Sequence, residues 1–322
     1  MTKLLNGNSP DGIKEAVEIL KNGGIVALPT ETVYGLAADA SNPKAIAKIF
    51  AAKNRPQNHP LILHVKNFGE LEKYAMQISN SAEILAKNFW PGPLTMLFQK
   101  KPSVLEEITG GKNTVAIRIP SNKIFQEVLQ LGNFALVAPS ANIHKKLSPT
   151  KAEHVFSQMN GKIDAILDGG TCEVGLESTI VDARGDVKIL RSGPILKTQI
   201  ERILNKTVED ISSSNTNNVS GSMKVHYQPN KPVFLINAKD ISNCINNTEN
   251  FIFLGYSESF CKNIPQQWLI KMPSNALEYQ AKLYNVLHEI NSTMHSAIAI
   301  ETPPNTEEWL AICDKLNRMV AE

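Results

Sequence analysis

A cluster of polar side chains follows directly after the apolar segment Ile25–Leu28. The next stretch, Pro29–Leu36, reads PTETVYGL and places the Glu31 carboxylate among three hydroxyl groups. The apolar segment is typical of a buried strand, and ligands of open α/β sheets bind beyond the carboxyl ends of strands. The same stretch is compatible with a polar strand-to-helix turn in which Thr30 caps the helix.

Two cations stand where a predicted helix ends against prolines. Lys53 and Arg55 belong to the segment Lys53–Pro60, which reads KNRPQNHP. A forked guanidinium and an ammonium point charge together suit a phosphate group. Cations at a helix C-terminus are also favoured by the helix dipole, so this pattern leaves both interpretations open.

Two further titratable side chains lie inside apolar runs. Arg118 interrupts the run Val115–Ile119, and His64 lies within Leu61–Val65. A buried guanidinium must be paired or face a cleft, and its fork matches a carboxylate. We therefore expect Arg118 either to bind a carboxylate ligand or to form a structural ion pair. A lone strand histidine is more often simply packed and hydrogen-bonded.

Small polar residues gather at three more predicted turns, Pro139–Asn142, Gly175–Thr179 and Arg191–Pro194. Each could be a plain turn, or its backbone amides and hydroxyls could hold an anion. Several strand ends that each present Thr, Ser, Lys or Arg together predict an anion-binding cleft. The sequence contains no G-x-x-x-x-G-K-[ST], G-x-S-x-G or H-E-x-x-H motif, so it indicates no protein nucleophile and no zinc helix.

Alternating helices and strands must position these side chains. Apolar residues at spacings of three and four predict a helix that starts at Ser9 and ends near Lys21. Further helices are predicted at 42–52, 67–76, 80–89, 122–131 and 151–159. Further strands are predicted at Leu61–Val65, Leu94–Phe98, Val115–Ile119, Leu136–Ala138, Ala165–Leu167, Thr179–Val181 and Val187–Leu190. This alternation favours an α/β domain with a mostly parallel or mixed sheet.

A Ser- and Asn-rich stretch at 205–222 interrupts the pattern and predicts a linker. Beyond it, strands at Val233–Ile236, Phe251–Leu254, Trp268–Lys271 and Ala297–Ile300 alternate with helices at 239–246, 275–291 and 307–320. This second alternation predicts a small α/β layer with helices on both faces. We therefore predict domains at 1–207 and 232–322, joined by a linker at 208–231.

Composition excludes several classes of protein. The 322 residues carry 33 Lys and Arg against 31 Asp and Glu, a formal charge of +2, which disfavours a polybasic nucleic-acid binder. Apolar runs such as Phe251–Leu254 are far shorter than the ~20 residues of a membrane span. The first residues show no apolar signal-peptide core, and the four cysteines form no C-x-x-C pair. We expect a cytoplasmic protein without a disulfide framework or a cysteine zinc site.

Taken in order, the polar segments resemble the YrdC-like threonylcarbamoyl-AMP synthase family over roughly residues 10–204. The segments that carry the resemblance are Pro29–Leu36, Lys53-x-Arg55-Pro56, Pro60–Leu61, Trp90–Thr95, Arg118–Pro120, Ser140–Asn142, Ser178–Thr179 and Arg191-x-Gly193. The second segment resembles the extra C-terminal domain of the long form of this family, with similar pieces at His226–Pro229 and Ala311–Arg318. The resemblance implies an open, twisted mixed sheet with a deep basic cavity and a smaller, Rossmann-like α/β/α domain.

The resemblance also implies an activity. L-Threonine, bicarbonate and ATP, with Mg²⁺, would give threonylcarbamoyl-AMP and pyrophosphate, and a partner transferase complex would then modify an adenosine of tRNA. The implied threonine pocket is Thr32, His64, Arg118 and Ser178. The implied ATP contacts are Lys53, Arg55, His59, Thr114, Ser140, Asn142, Ser148 and Arg191, with Tyr227 closing over the nucleotide. No protein side chain is implied as a metal ligand.

Two other functions compete with this one. A double-stranded RNA- or tRNA-binding module without its own chemistry could use the same basic cleft, although the weak net charge disfavours it as a sole function. A carbamoyl-handling maturation factor built on the same domain would carry zinc-finger and acylphosphatase-like parts, and the sequence shows neither.

Overall fold

The computed structural model describes residues 1–212, 226–241, 245 and 250–320. The chain divides into two compact units, the first formed by 1–144 and 148–222 and the second by 145–147 and 223–322. Most of the predicted linker, 213–225, lies outside the described residues. Within the described part of the chain, no helix is both long and apolar enough to cross a membrane.

The first unit is built on one large mixed sheet. Its described strands are β1 (Lys3–Asn6), β2 (Val26–Leu28), β3 (Gly35–Asp39), β4 (Ile62–His64), β5 (Leu94–Gln99), β6 (Thr114–Arg118), β7 (Leu136–Val137), β8 (Ala165–Asp168), β9 (Thr179–Asp182), β10 (Lys188–Arg191) and β11 (Glu209–Asp210). They are ordered β1-β8-β2-β3-β7-β4-β6-β5-β9-β10-β11. Parallel pairs such as β4 with β6 alternate with antiparallel pairs such as β5 with β6.

Helices cover this sheet. They are α1 (Pro10–Lys21), α2 (Pro43–Lys53), α3 (Asn80–Phe89), α4 (Glu106–Thr109), α5 (Lys123–Gly132), α6 (Ala152–Met159) and α7 (Lys197–Leu204). Successive side chains of a strand point to opposite faces of the sheet, so the side chains of one strand pack in two different cores. Ile25 and Ala27 belong to the core that includes α2 and α3, whereas Val26 and Leu28 belong to the core that includes α1 and α5. The segment predicted as a helix at 67–76 is a 3₁₀ helix at Phe68–Lys73.

The polar stretch after β2 leads into a strand and not into a helix. β3 returns antiparallel to β2, with Leu28 opposite Gly35. Glycine suits this position because a Cβ on residue 35 would lie 3.1 Å from the Ala138 Cβ, a tight contact that would need the neighbour to shift. Leu36 and Ala37 are both fully buried, each in a different core. Apolar side chains on both faces stabilise a central strand, so the interpretation of Thr30 as a helix cap is wrong.

The second unit holds a smaller sheet that is parallel throughout its described strands. These are β12 (Val233–Ile236), β13 (Phe251–Gly255), β14 (Leu269–Lys271) and β15 (Ala297–Glu301), in the order β12-β15-β13-β14. The accompanying helices are α8 (Glu258–Cys261), α9 (Ala276–Asn291) and α10 (Leu310–Met319). The helix predicted at 239–246 falls partly outside the described residues. The large mixed sheet and the second parallel sheet confirm the predicted fold class, while the deep basic cavity stays a prediction.

Candidate active site

Arg118 forms the centre of a buried cluster at the end of β6. Its Nη2 lies 2.8 Å from Glu31 Oε1, and both side chains are about 5% exposed. Nη1 donates to Thr32 Oγ1 at 2.9 Å, and Nε donates to the Gly92 carbonyl at 3.2 Å. The ion pair expected as one of two alternatives is therefore present. The cluster contains two of the predicted threonine-pocket residues, Arg118 and Thr32, which share a hydrogen bond. Glu31, the ion-pair partner of Arg118, is an additional member.

A tight turn presents Glu31 and Thr32 to Arg118. Thr30 Oγ1 accepts from the backbone N–H groups of Thr32 and Val33 at 3.0 and 3.1 Å. The loop between β8 and β9 holds the same turn, because Val174 and Gly175 donate their N–H groups to the carbonyls of Glu31 and Thr32. Bonds on both sides fix the backbone, so the two side chains have little freedom to leave Arg118.

Burial and charge set the protonation states around Arg118. Burial raises the pKa of Glu31, but the Arg118 guanidinium more than offsets this, and the net effect lowers the pKa below its ordinary value. His64 is the cross-strand register partner of Arg118. Burial, aided by the Arg118 charge, lowers the pKa of His64 to about 3. At neutral pH the cluster therefore holds a carboxylate, a guanidinium and a neutral imidazole.

A second cluster surrounds Ser178, the residue before β9. Arg191 donates to the Ser178 carbonyl through Nε at 3.0 Å and Nη2 at 2.8 Å, and Nη2 also donates to Ser178 Oγ at 3.0 Å. The two hydroxyl oxygens of Ser178 and Thr95 lie 2.8 Å apart. Ser148 is fully buried and donates its hydroxyl to the Glu177 carboxylate. The structure thus pairs Arg191 with Ser178, and it pairs Ser148 with Glu177, the residue before Ser178.

A third cluster lies where α2 ends. The buried Lys53 ammonium donates to the backbone carbonyls of Ser140 and Asn142, the latter at 2.6 Å. Burial, and then the charge of Arg55, lowers the pKa of Lys53. Arg55 Nη2 donates to the Pro60 carbonyl at 3.0 Å. Lys53 thereby fixes the loop that carries Ser140 and Asn142.

The remaining ATP candidates of the first unit lie near this third cluster. The His59 ring lies 5.5 Å from the His144 ring. Thr114 is the first residue of β6. The parallel register of β4 and β6 pairs Ile62 with Ala116, so Thr114 lies beside Pro60, whose carbonyl accepts from Arg55. Tyr227 lies in the second unit, where its buried ring stacks on Tyr284 and lies 5.1 Å from the Lys315 ammonium.

Strand direction separates the predicted residues into two groups. β6 runs parallel to β4 and antiparallel to β7, so Thr114 and Ser140 lie at one end of these strands. Arg118 and His64 lie at the other end, about 13 Å along β6 from Thr114 at ~3.3 Å per residue. Ser178 and Arg191 lie at the Arg118 end, because β9 runs antiparallel to β6 and β10 runs antiparallel to β9. Most ATP candidates of the first unit therefore lie at the Thr114 end, whereas His64, Arg118, Ser178 and Arg191 lie at the other end. Thr32 precedes Gly35, which bridges Ser140 at the Thr114 end, and the Thr32 hydroxyl accepts from Arg118.

Comparison with known proteins identifies the family of this chain. A family model described as telomere recombination (Sua5/YciO/YrdC) matches residues 18–193, and one described as threonylcarbamoyl-AMP synthase, C-terminal domain, matches residues 195–321. The threonylcarbamoyl-AMP synthase of Pyrococcus abyssi is 41% identical over 229 residues, which are 70% of this chain and 67% of that protein. The chain belongs to the threonylcarbamoyl-AMP synthase family.

Two further relatives agree with this family. The threonylcarbamoyl-AMP synthase of Bacillus subtilis is 40% identical over 238 residues, covering 72% of this chain and 68% of that protein. The solved structure of P. abyssi Sua5 complexed with L-threonine superposes with a TM-score of 0.89 at 31% identity, and covers 99% of both chains. The predicted family, its long form and its enzyme class, a nucleotidyltransferase, are thereby confirmed.

Sequence reasoning about this family member missed several residues at the candidate site. Glu31 lies inside the PTETVYGL motif but was not selected, although it is the carboxylate nearest to Arg118. Glu177 accepts a hydrogen bond from Ser148 and directly precedes the segment Ser178–Thr179. The Thr95 hydroxyl contacts the Ser178 hydroxyl, and Thr95 is the last residue of the segment Trp90–Thr95. The signal was available for all three, because a buried cation needs a nearby anion and buried hydroxyls need partners.

Proposed function

We propose that the chain forms threonylcarbamoyl-AMP and pyrophosphate from L-threonine, bicarbonate and ATP, for the modification of an adenosine in tRNA. The observation that carries the proposal is the buried Arg118 cluster in a chain that shares its fold with a relative complexed with L-threonine. A guanidinium held between Glu31 and Thr32 is a preorganised site for a carboxylate.

The threonine site of this proposal is Thr32, His64, Arg118 and Ser178. Arg118 binds the substrate α-carboxylate. Neutral His64 and the Thr32 and Ser178 hydroxyls offer hydrogen bonds without a further charge. Arg191 positions Ser178 by donating hydrogen bonds to its carbonyl and its hydroxyl.

The ATP site of this proposal is the opposite strand end, with Lys53, Arg55, His59, Thr114, Ser140 and Asn142. Arg55 supplies a cation for the phosphates, and Lys53 orients the Ser140–Asn142 loop. Ser148, Arg191 and Tyr227 stay predicted ATP contacts.

The chemistry then needs mainly positioning and charge neutralisation. The neutral threonine amine attacks the bicarbonate carbon, the new C–N bond forms and water leaves, giving a carbamate. A carbamate oxygen attacks the ATP α-phosphorus, the bond from this phosphorus to the β-phosphate bridging oxygen breaks, and pyrophosphate leaves. Neither step requires a covalent protein intermediate, in line with the absence of a nucleophile motif in the sequence.

Mg²⁺ is part of the proposal only as the companion of ATP. Among the residues that the structure describes, no three His, Cys, Asp or Glu side chains are grouped to hold a metal ion. Mg²⁺ commonly binds through phosphates and waters with one or two carboxylates, so the nucleotide itself would carry it.

The decisive experiment measures pyrophosphate release from ATP with L-threonine and bicarbonate supplied together or singly. We expect release that requires both, and a product with the mass of threonylcarbamoyl-AMP. Release that is independent of threonine would contradict the proposal. Tight tRNA binding with no release would favour the RNA-binding module.

A cytoplasmic location and delivery of the product to a tRNA-modifying threonylcarbamoyl transferase complex complete the proposal.

A further inference from the structure

The Glu31–Arg118 pair is buried but incompletely hydrogen-bonded. Among the described residues, Glu31 Oε1, Glu31 Oε2 and Arg118 Nη2 are buried polar atoms with no partner at hydrogen-bond geometry. The backbone N–H groups of Glu31 and Ser121 lie near enough to lower the pKa of Glu31, but not at that geometry. Oε1 and Nη2 lie 2.8 Å apart, and this contact with Arg118 lowers the pKa of Glu31, while Oε2 is left facing no donor at hydrogen-bond geometry. Such atoms are exceptional in native interiors, so this place has hydrogen-bonding capacity that a polar ligand can use.

The unused capacity at this place has a definite chemical character. A guanidinium has five N–H donors, and Arg118 directs one to Thr32 and one to Gly92. Donors therefore remain on both Nη atoms, beside the two acceptor oxygens of Glu31. The head group that matches adjacent donors and acceptors of opposite charge is a zwitterion, with three N–H donors and a carboxylate. An unmodified α-amino acid carries this head group.

We propose that Glu31 binds the α-ammonium group of threonine while Arg118 binds its α-carboxylate. This inference rests on the proposed function and deepens it by assigning a substrate contact to Glu31. The four charged groups form a ring of alternating sign, so the existing 2.8 Å contact need not break. Two-point attachment orients the nitrogen, and the bound α-ammonium group releases one proton to solvent before the resulting neutral amine attacks bicarbonate. The same attachment selects against substrates that lack an amine.

The alternative is that Glu31 serves only to hold Arg118. The two possibilities separate when the ligand is varied together with the protein. L-Threonine and 3-hydroxybutanoate both carry a carboxylate and a β-hydroxyl, but only threonine carries an ammonium group. A residue that binds the ammonium affects threonine alone, whereas a residue that positions Arg118 affects both ligands.

The experiment is calorimetric titration of both ligands into the full chain in the presence of α,β-methylene-ATP, which cannot be cleaved at the α-phosphate. In Glu31→Gln we expect threonine affinity to fall about 10- to 100-fold, the usual effect of losing a hydrogen bond to a charged group. Affinity for 3-hydroxybutanoate should stay within about threefold of the wild-type value. Asp182→Asn is the matched control, because Asp182 pairs with Arg184 at the far end of β9. It should change neither affinity.

Three results would overturn the inference. Equal losses for both ligands in Glu31→Gln mean that Glu31 only positions Arg118. Unchanged threonine affinity means that Glu31 does not touch the substrate. A wild-type chain that fails to bind threonine overturns the proposed function as well.

A third variant keeps the test decisive if Glu31→Gln fails to fold. Glu31→Asp retains the charge beside Arg118 and withdraws the carboxylate by one methylene. We expect this variant to fold and to lose threonine affinity while its 3-hydroxybutanoate affinity is preserved. A parallel loss for both ligands would again reject the contact.

Discussion

Arg191 donates three hydrogen bonds to Ser178, at 2.8 to 3.0 Å, from the end of one strand to the start of its antiparallel neighbour. The resemblance assigns Arg191 to ATP and Ser178 to threonine. Their direct contact means that a change at one residue reaches the other substrate. The two sites are therefore expected to be coupled through this pair.

Replacing Arg191 with lysine should weaken the binding of both substrates. A lysine ammonium cannot span the Ser178 carbonyl and hydroxyl as the guanidinium fork does. Loss of one or two hydrogen bonds predicts about a tenfold weaker threonine affinity in calorimetry, together with a raised KM for ATP. Arg184→Lys is the control, since Arg184 forks onto Asp182 at the exposed turn between the same strands. A variant with normal threonine binding and impaired ATP binding would show that Arg191 serves the nucleotide alone.

Replacing Lys53 with methionine should destabilise the chain and impair ATP use. The Ser140 and Asn142 carbonyls would lose their shared buried donor, at a cost of about 1–3 kcal/mol in the free energy of unfolding. The KM for ATP should rise, while threonine affinity stays nearly constant, because the Lys53 ammonium bonds to the loop that carries the ATP candidates Ser140 and Asn142. Denaturant unfolding and initial rates measure the two effects.

The control for Lys53 is Lys48→Met on the same helix. Lys48 donates to one carbonyl, that of Gly23, at 2.6 Å. It should cost about 1 kcal/mol or less and leave the KM for ATP unchanged. Equal KM values for the two variants would remove Lys53 from the ATP site.

Buried His64 should make the chain less stable as the pH falls below about 6.5. The pKa of His64 is about 3 in the folded chain and about 6.5 in the unfolded chain, so only the unfolded state gains a proton between these values. The free energy of unfolding should therefore fall by up to ~1.4 kcal/mol per pH unit from this residue within that window. Denaturant unfolding of His64→Asn between pH 4 and 7 should show a shallower slope. Identical slopes for both proteins would mean that His64 takes up a proton in the folded state.

Truncation after Ser212 tests the predicted role of Tyr227. β11 pairs with β10, so ending the chain at Ser212 retains every described strand of the large sheet. We expect a folded fragment that binds ATP and threonine but forms product at least ~10-fold more slowly, because segments that close over reactants exclude water. A fragment with the full rate would remove Tyr227 from the site.

The sequence by itself determined most of the local elements and the identity of most polar candidates, whereas it did not predict β1, β3, β11 or α4. Apolar residues recur at helical spacing in α1, and short runs of aliphatic residues mark β4, β6 and β8. These patterns depend only on neighbouring residues, so they locate the elements within a few residues. The ordered motifs were specific enough to indicate the family, because each is a short string of consecutive residues.

Only the tertiary structure decided which of these residues meet. Glu31 contacts Arg118 across 87 positions of the chain, and Arg118 lies far along β6 from Thr114, its companion on the same strand. Strand order and direction set these distances, and they depend on hydrogen bonds between segments remote in sequence. The same long-range pairing turned the stretch after Thr30 into a strand, since burial on two faces outweighed a local capping preference. Local side-chain patterns carry no information about such partners, and the pairing of buried charges follows from the packed sheet alone.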